Sequence, residues 1–168
     1  MKRIACLVVI LIICCVLCAC DPGVYSVDRE QLNDVIGIEL IKYENSQQKH
    51  FATWVPNQFN RLKAFDSTKV TILETLSTEK TADFLESFSE TNILSQYYVY
   101  DSPKDICIRL NYSNGNFLII WANYIEDSYA GYIGEYLSDG TVFSFWGSFS
   151  SLMDFEELVN QYFVHDLK

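Results

Sequence analysis

Two glycine-containing turn signals constrain the fold of this chain more than any other feature. Asn114-Gly115 lies inside "CIRLNYSNGNFLIIWANY", and Asp139-Gly140 lies inside "GYIGEYLSDGTVFSFWGS". In both stretches the turn separates two apolar or alternating runs, and such dipeptides tolerate the positive φ angles that tight hairpins need. The chain therefore predicts two hairpins, which together form a four-strand antiparallel meander.

Upstream of the meander, two further segments are predicted to be strands. Val35–Tyr43 alternates, which places Ile36, Ile38 and Leu40 on one face, and Lys69–Leu76 gives the second strand. The residues between them, 44–68, mix polar side chains with several aromatic ones. They predict only a long connection that lays aromatic residues onto the core.

Two helices complete the expected elements. "STEKTADFLESFSE" predicts a helix with Thr78 as its N-cap and with Phe84, Leu85 and Phe88 on one face. "SLMDFEELVNQYF" predicts an amphipathic helix that begins near a capping box of Ser151 and Asp154.

The order of these elements predicts an α+β fold. We expect an antiparallel sheet of about five to six strands with two main helices packed on one face. The order resembles the helix-grip or TATA-binding-protein-like arrangement, in which a curled sheet holds a long C-terminal helix. An apolar signal helix is expected to precede this domain.

The N-terminus has the layout of an export signal. Lys2 and Arg3 are followed by a run without charge from Ile4 to Cys20. This run is at the short end of the roughly 17–25 residues that a membrane-spanning helix needs. The pattern therefore favours export over a permanent membrane span.

The end of the signal, Leu17-Cys18-Ala19-Cys20, resembles the lipobox of bacterial lipoproteins. The resemblance implies that Cys20 carries the lipid, with palmitate-type acyl chains, and that cleavage occurs between Ala19 and Cys20. Cys18 departs from the usual Ser or Ala but is also small. An uncleaved anchor and ordinary signal cleavage remain the alternatives.

This interpretation divides the chain into three parts. Residues 1–19 are the lipoprotein signal peptide, 20–27 the lipidated cysteine and its tether, and 28–168 a single α+β domain. Five of the six cysteines fall within the first 20 residues, so a disulfide framework is not expected. Cys107 alone lies in the domain, and we expect it to be a buried thiol that packs as a small apolar side chain.

The chain of 168 residues is acidic, with a formal net charge of −10. Removal of the signal also removes Lys2 and Arg3, so the mature protein is more acidic still. Because phosphate contacts need Lys and Arg, nucleic acid is not an expected partner. Anionic headgroups would repel this domain, so attachment to the extracytoplasmic face of the cell membrane would depend on the lipid.

The sequence contains few groups suited to catalysis. His50 and His165 are the only histidines, and neither falls in a recognisable metal-binding or nucleophile motif. The carboxylates, such as Glu126-Asp127, are interpreted as solvated surface, with a weak calcium site as the alternative. No catalytic residue, metal site or cofactor is predicted.

The most unusual feature of the domain is its content of tyrosine and tryptophan. These side chains suit either a core or an exposed surface that contacts a protein or a glycan. The residues proposed for such a recognition surface are Tyr97, Tyr98, Tyr100, Trp121, Tyr129 and Trp146.

The sequence thus favours a membrane-anchored extracytoplasmic binding module with an envelope protein or glycan as partner. One special case is an inhibitor or immunity-type lipoprotein, because a small acidic domain suits a basic active site. The alternatives are a structural lipoprotein and an envelope enzyme such as a carboxylate-dependent hydrolase. A glycosidase would need two acids about 5–10 Å apart.

Overall fold

The predicted meander forms the middle of one antiparallel sheet in the computed structural model, which describes residues 24–44, 65–94, 103, 105–125, 128–149 and 154–164. The strands are β1 (Val24–Ser26), β2 (Val35–Tyr43), β3 (Val70–Thr75), β4 (Asn92–Leu94), β5 (Asp105–Tyr112), β6 (Phe117–Ile125), β7 (Ser128–Tyr136) and β8 (Val142–Phe149). Their order across the sheet is β1-β4-β8-β7-β6-β5-β2-β3. The α-helices of the described residues are α1 (Thr78–Ser89) and α2 (Asp154–Tyr162). The α+β class is confirmed.

The sheet has eight strands, so the prediction of five or six was too low. The two additional strands, β1 and β4, have only three residues each and pair with one another at one edge of the sheet. Strands this short show no alternation in the sequence.

β1 also lies within residues 20–27, which were interpreted as tether, and Val27 after it is buried. The folded part therefore begins closer to Cys20 than predicted.

Both predicted hairpin turns are present. Gly115 and Gly140 have φ angles of 86° and 84°, in the left-handed region that favours glycine. The amide of Gly115 donates to the carbonyl of Tyr112 at 3.0 Å, and that of Gly140 donates to the carbonyl of Leu137 at 2.8 Å. These turns fix the register of β5 with β6 and of β7 with β8.

α1 begins one residue earlier than its predicted cap implies. Ser77, rather than Thr78, is the N-cap, and its side chain accepts a hydrogen bond from the amide of Lys80 at 3.3 Å. Ser and Thr are both good caps, so the sequence alone did not distinguish these neighbours. Phe84 and Phe88 are fully buried, which confirms the predicted apolar face.

The two faces of the sheet bury separate cores. The first core contains both helices, packed on one face of the sheet as predicted, with Phe84 and Phe88 of α1 and Leu158 and Val159 of α2. The second core lies on the other face and is rich in aromatic residues. It comprises Ile41, Tyr43, Phe65, Cys107, Phe117, Ile119, Trp121, Tyr132 and Tyr136.

β2 shows how the two cores share one strand. Ile38 and Leu40 are buried in the first core, whereas Ile41 is buried in the second. Ile36 does not join Ile38 and Leu40 as predicted, and its side chain is 71% exposed. The pairing of β2 with β5 shifts register between Val35 and Gly37, which displaces Ile36 from the regular alternation.

Candidate functional site

A groove with a volume of about 620 Å³ lies between α1 and α2. It lies on the outer side of the helix layer and is lined mainly by polar side chains. The lining residues are Lys80, Asp83, Glu86, Ser87, Glu90, Gln161 and Tyr162. A groove of this size can hold a short peptide segment or a small polar ligand.

Tyr162 of α2 fixes the geometry of this groove. Its hydroxyl donates to the carbonyl of Asp83 at 3.1 Å and accepts from the side-chain amide of Gln161 at 3.1 Å. The Ser87 hydroxyl lies 2.5 Å from the same oxygen. Either hydroxyl can be the donor in that contact. These bonds join the two helices at the base of the groove.

A lysine and a glutamate hold the C-terminal end of α2. Lys80 donates from Nζ to the carbonyl of Tyr162 at 2.9 Å, so a carbonyl at the C-terminal end of the helix receives a positively charged donor. The amide of Val164 donates to Glu74 Oε2 at 2.8 Å, which ties the end of the helix to β3. α2 is therefore fixed against both α1 and the sheet.

The open side of the groove carries negative charge. Asp83, Glu86 and Glu90 follow one another at spacings of three and four residues, which places them on one side of α1. Asp83, Glu86 and Glu90 are exposed, and Lys80 already donates to Tyr162. The groove therefore presents more negative than positive charge. The i, i+3, i+7 spacing of these acids was the sequence signal for this surface, and sequence reasoning missed it.

A second polar cluster lies on the sheet itself. Glu39 of β2 accepts through Oε2 from Arg109 Nε at 2.8 Å and from Asn111 Nδ2 at 3.0 Å. The side chains of Glu39 and Arg109 are only 14% and 15% exposed. The cross-strand pair thus neutralises two charges that are largely removed from water, and this arrangement indicates a structural role.

A third cluster surrounds Glu135 of β7. Its Oε2 accepts from the Ser144 hydroxyl at 2.9 Å and from Trp146 Nε1 at 3.1 Å. Burial raises the pKa of the nearby Tyr112, and the negative charges of Glu135 and Asp34 raise it further. That phenol consequently stays protonated over the physiological pH range and is not suited to act as a base.

Of the predicted recognition aromatics, the structure describes the side chains of Trp121 and Trp146. Trp121 is fully buried in the second core, so its assignment as a recognition residue was wrong. Trp146 is half-buried and is held by its bond to Glu135. The backbone of Tyr129 in β7 lies in register with that of Tyr124 in β6. Tyr97, Tyr98 and Tyr100 lie outside the described residues, as do Ala19 and Cys20.

Cys107 is fully buried in the second core, which confirms the expected burial of this thiol. Tyr136 in the same core is also fully buried, and its hydroxyl has no hydrogen-bond partner within the part of the chain that the structure describes. Burial raises the pKa of Tyr136 above the ordinary value for a phenol. Both groups are thus enclosed rather than presented to a substrate.

Within the described ranges, no three or more acidic, histidine or cysteine side chains come together in a way that could hold a metal ion. The helices of those ranges also include none long and apolar enough to cross a membrane. The predicted signal helix and the residues 126–127 and His50 lie outside the ranges that the structure describes.

Comparison of the chain with protein-family models, with curated proteins and with solved structures finds no match.

Proposed function

We propose that this protein is an extracytoplasmic lipoprotein, anchored to the cell membrane through acyl chains on Cys20. The proposal is supported by the basic start, the uncharged run and the final Leu17-Cys18-Ala19-Cys20. Each buried methylene of an acyl chain contributes about 0.8 kcal/mol, and two or more chains give stable attachment. The acidic domain itself would not adsorb to anionic lipid.

The anchored domain is proposed to be a binding module whose contact surface is the α1–α2 groove. The observation that carries this proposal is the combination of a groove of about 620 Å³ with a rim of three carboxylates, two from α1 and one from its C-cap residue Glu90. An extended, positively charged segment of an envelope protein fits this combination. An inhibitor or immunity-type role is a special case in which that segment belongs to an enzyme.

A photo-crosslinking residue in the groove tests the proposal with the full-length protein in its own membrane. Gln161 lines the groove, whereas the adjacent Asn160 is also exposed but does not line it. We expect a crosslinker at Gln161 to capture a defined partner protein and one at Asn160 to capture little of it. Equal capture at both positions would contradict the proposed surface.

Charge-neutralising variants make the same test quantitative. The groove variant carries D83N, E86Q and E90Q, and the matched control carries E30Q, E44Q and E157Q at exposed positions outside the groove. Three exposed ion pairs at about 0.5 kcal/mol each correspond to about a tenfold loss of affinity. Binding of the captured partner should weaken by that factor in the groove variant only, and increasingly so at low salt.

The finer architecture is part of the proposal. We propose that the sheet curls around its helices in a helix-grip manner. Only nine residue steps join Ser26 of β1 to Val35 of β2, and a 3₁₀ turn over Arg29–Leu32 occupies part of them. Six strand spacings of about 4.8 Å separate β1 from β2 along the sheet. In a flat sheet the two strands would lie farther apart than a connection containing this 3₁₀ turn can reach. A curved sheet brings them close enough.

A further inference from the structure

The start of β1 limits how the domain can stand relative to the membrane, if Cys20 carries the lipid as proposed above. Only Asp21, Pro22 and Gly23 separate Cys20 from Val24, the first residue of β1. Four residue steps reach at most about 14 Å, whatever their conformation. One edge of the sheet is therefore held beside the bilayer.

The C-terminal end of α1 lies at that same edge. Ser26 of β1 pairs with Asn92 of β4. Only two residues, Glu90 and Thr91, lie between Asn92 and Ser89, the last residue of α1. The opposite end of α1 follows β3, at the other edge of the sheet. The helix has 12 residues and is thus about 18 Å long.

The end of α2 marks the other side of the molecule. Its last residue, Tyr162, accepts a bond from Lys80 in the first turn of α1, and Val164 donates to Glu74 of β3. These contacts thus bring together the first turn of α1, the end of α2 and β3, and we refer to them as one group. That group is separated from the β1–β4 edge by the length of α1.

We infer that the β1–β4 edge and the C-terminal end of α1 face the phospholipid bilayer, while the first turn of α1, the end of α2 and β3 face away from it. The acidic groove then extends from a membrane-side end at Glu90 to an outer end at Lys80. The carboxylates of Glu86 and Glu90 face anionic headgroups and oppose adsorption of the helix layer. A partner of the groove must therefore reach a site close to the membrane.

Distance from the bilayer can be measured at both ends of α1 with variants of the full chain that each carry one introduced cysteine. Glu90→Cys and Glu79→Cys remove the same charge from exposed positions about 16 Å apart along the helix. Cys107 is fully buried, so a thiol-reactive fluorophore would label the introduced residue. The lipidated protein is placed in phosphatidylcholine vesicles that contain a lipid with a nitroxide quencher on its headgroup.

We expect quenching at Glu90→Cys to exceed quenching at Glu79→Cys by about twofold or more, because the quencher acts only over short distances comparable with the tether. Ser26→Cys and Thr75→Cys form a second exposed pair, on the two edge strands, and should show the same difference. Equal quenching within both pairs, or greater quenching at the outer position, would overturn the orientation.

Flotation of the vesicles separates this result from failure of the anchor. Protein that floats with the vesicles but shows equal quenching overturns the orientation alone. Protein that does not float overturns the lipid anchor on Cys20 and the orientation together.

Discussion

At the scale of single residues, Gly140 shows how the second core depends on a turn. Its carbonyl accepts a hydrogen bond from the amide of Phe65 at 2.8 Å. The ring of Phe65 in turn stacks on Tyr43 and packs against Phe117 and Tyr136. A Cβ atom on Gly140 would lie 2.0 Å from the carbonyl oxygen of Phe65, so any side chain there displaces this segment.

Gly140→Ala should therefore destabilise the protein more than Gly115→Ala, although both glycines have nearly the same φ angle. At Gly115 the nearest atom to an added Cβ is the Ser138 Cβ at 3.4 Å, an ordinary contact. The backbone strain alone costs about 1–2 kcal/mol at either site, and the clash at Gly140 adds to it. Urea unfolding of the two variants compares the losses, and equal losses would contradict the close approach of Phe65.

Two tyrosine hydroxyls provide a second comparison at this scale. Tyr136→Phe removes a fully buried hydroxyl that has no hydrogen-bond partner among the described residues, so it should leave the free energy of unfolding unchanged or raise it by about 1 kcal/mol. Tyr162→Phe removes a hydroxyl that bonds Asp83, Ser87 and Gln161, and should lower the free energy by about 1–3 kcal/mol. Thermal or urea unfolding measures both, and a larger loss for Tyr136→Phe would contradict this account.

At the scale of secondary structure, the sequence was most informative where local signals coincide. The turns at Gly115 and Gly140, strands β2 and β3 and both helices were predicted because alternation, 3.6-residue periodicity and turn residues agreed there. β1 and β4 were missed because their pairing is a long-range contact between three-residue segments. The exposure of Ile36 was missed because a register shift leaves no mark in the pattern of side chains.

The candidate site was less predictable than the fold. Asp83, Glu86 and Glu90 have a spacing that places them on one side of a helix, but only the packing of α2 on α1 turns that side into a groove. Trp121 was misjudged because both faces of the sheet are buried, so parity along β6 could not separate core from surface. Aromatic content alone therefore did not locate a recognition surface.

At the scale of the whole molecule, acid should destabilise the fold through two exposed turns. Hydrogen bonds from Thr68 lower the pKa of Asp66, and those from Thr141 lower the pKa of Asp139, both from an ordinary value of 3.8. A lowered pKa in the folded state contributes stability above the ordinary pKa, and this contribution is lost as pH falls through the folded value. Stability should therefore decline as the pH is lowered below 3.8.

Asn keeps an oxygen acceptor but carries no ionisable carboxyl, so the double variant Asp66→Asn and Asp139→Asn should lose less stability than the wild type as the pH is lowered below 3.8. Glu157→Gln, at an exposed position on α2, serves as the control and should follow the wild type. Urea unfolding at a series of pH values measures the difference. Parallel curves for all three proteins would show that these two turns do not contribute to acid sensitivity.

The proposed anchor on Cys20 underlies both the proposed location of the domain and its inferred orientation, and the intact mass of the protein extracted from membranes tests it most directly. The account predicts the mass of residues 20–168 with a diacylglycerol group on Cys20, with or without a further acyl chain on its amine. It also predicts that Cys20→Ala leaves an unlipidated protein of larger mass, because the signal is no longer removed. The mass of an unmodified full chain, or of an unlipidated cleaved chain, in the wild type would contradict the account.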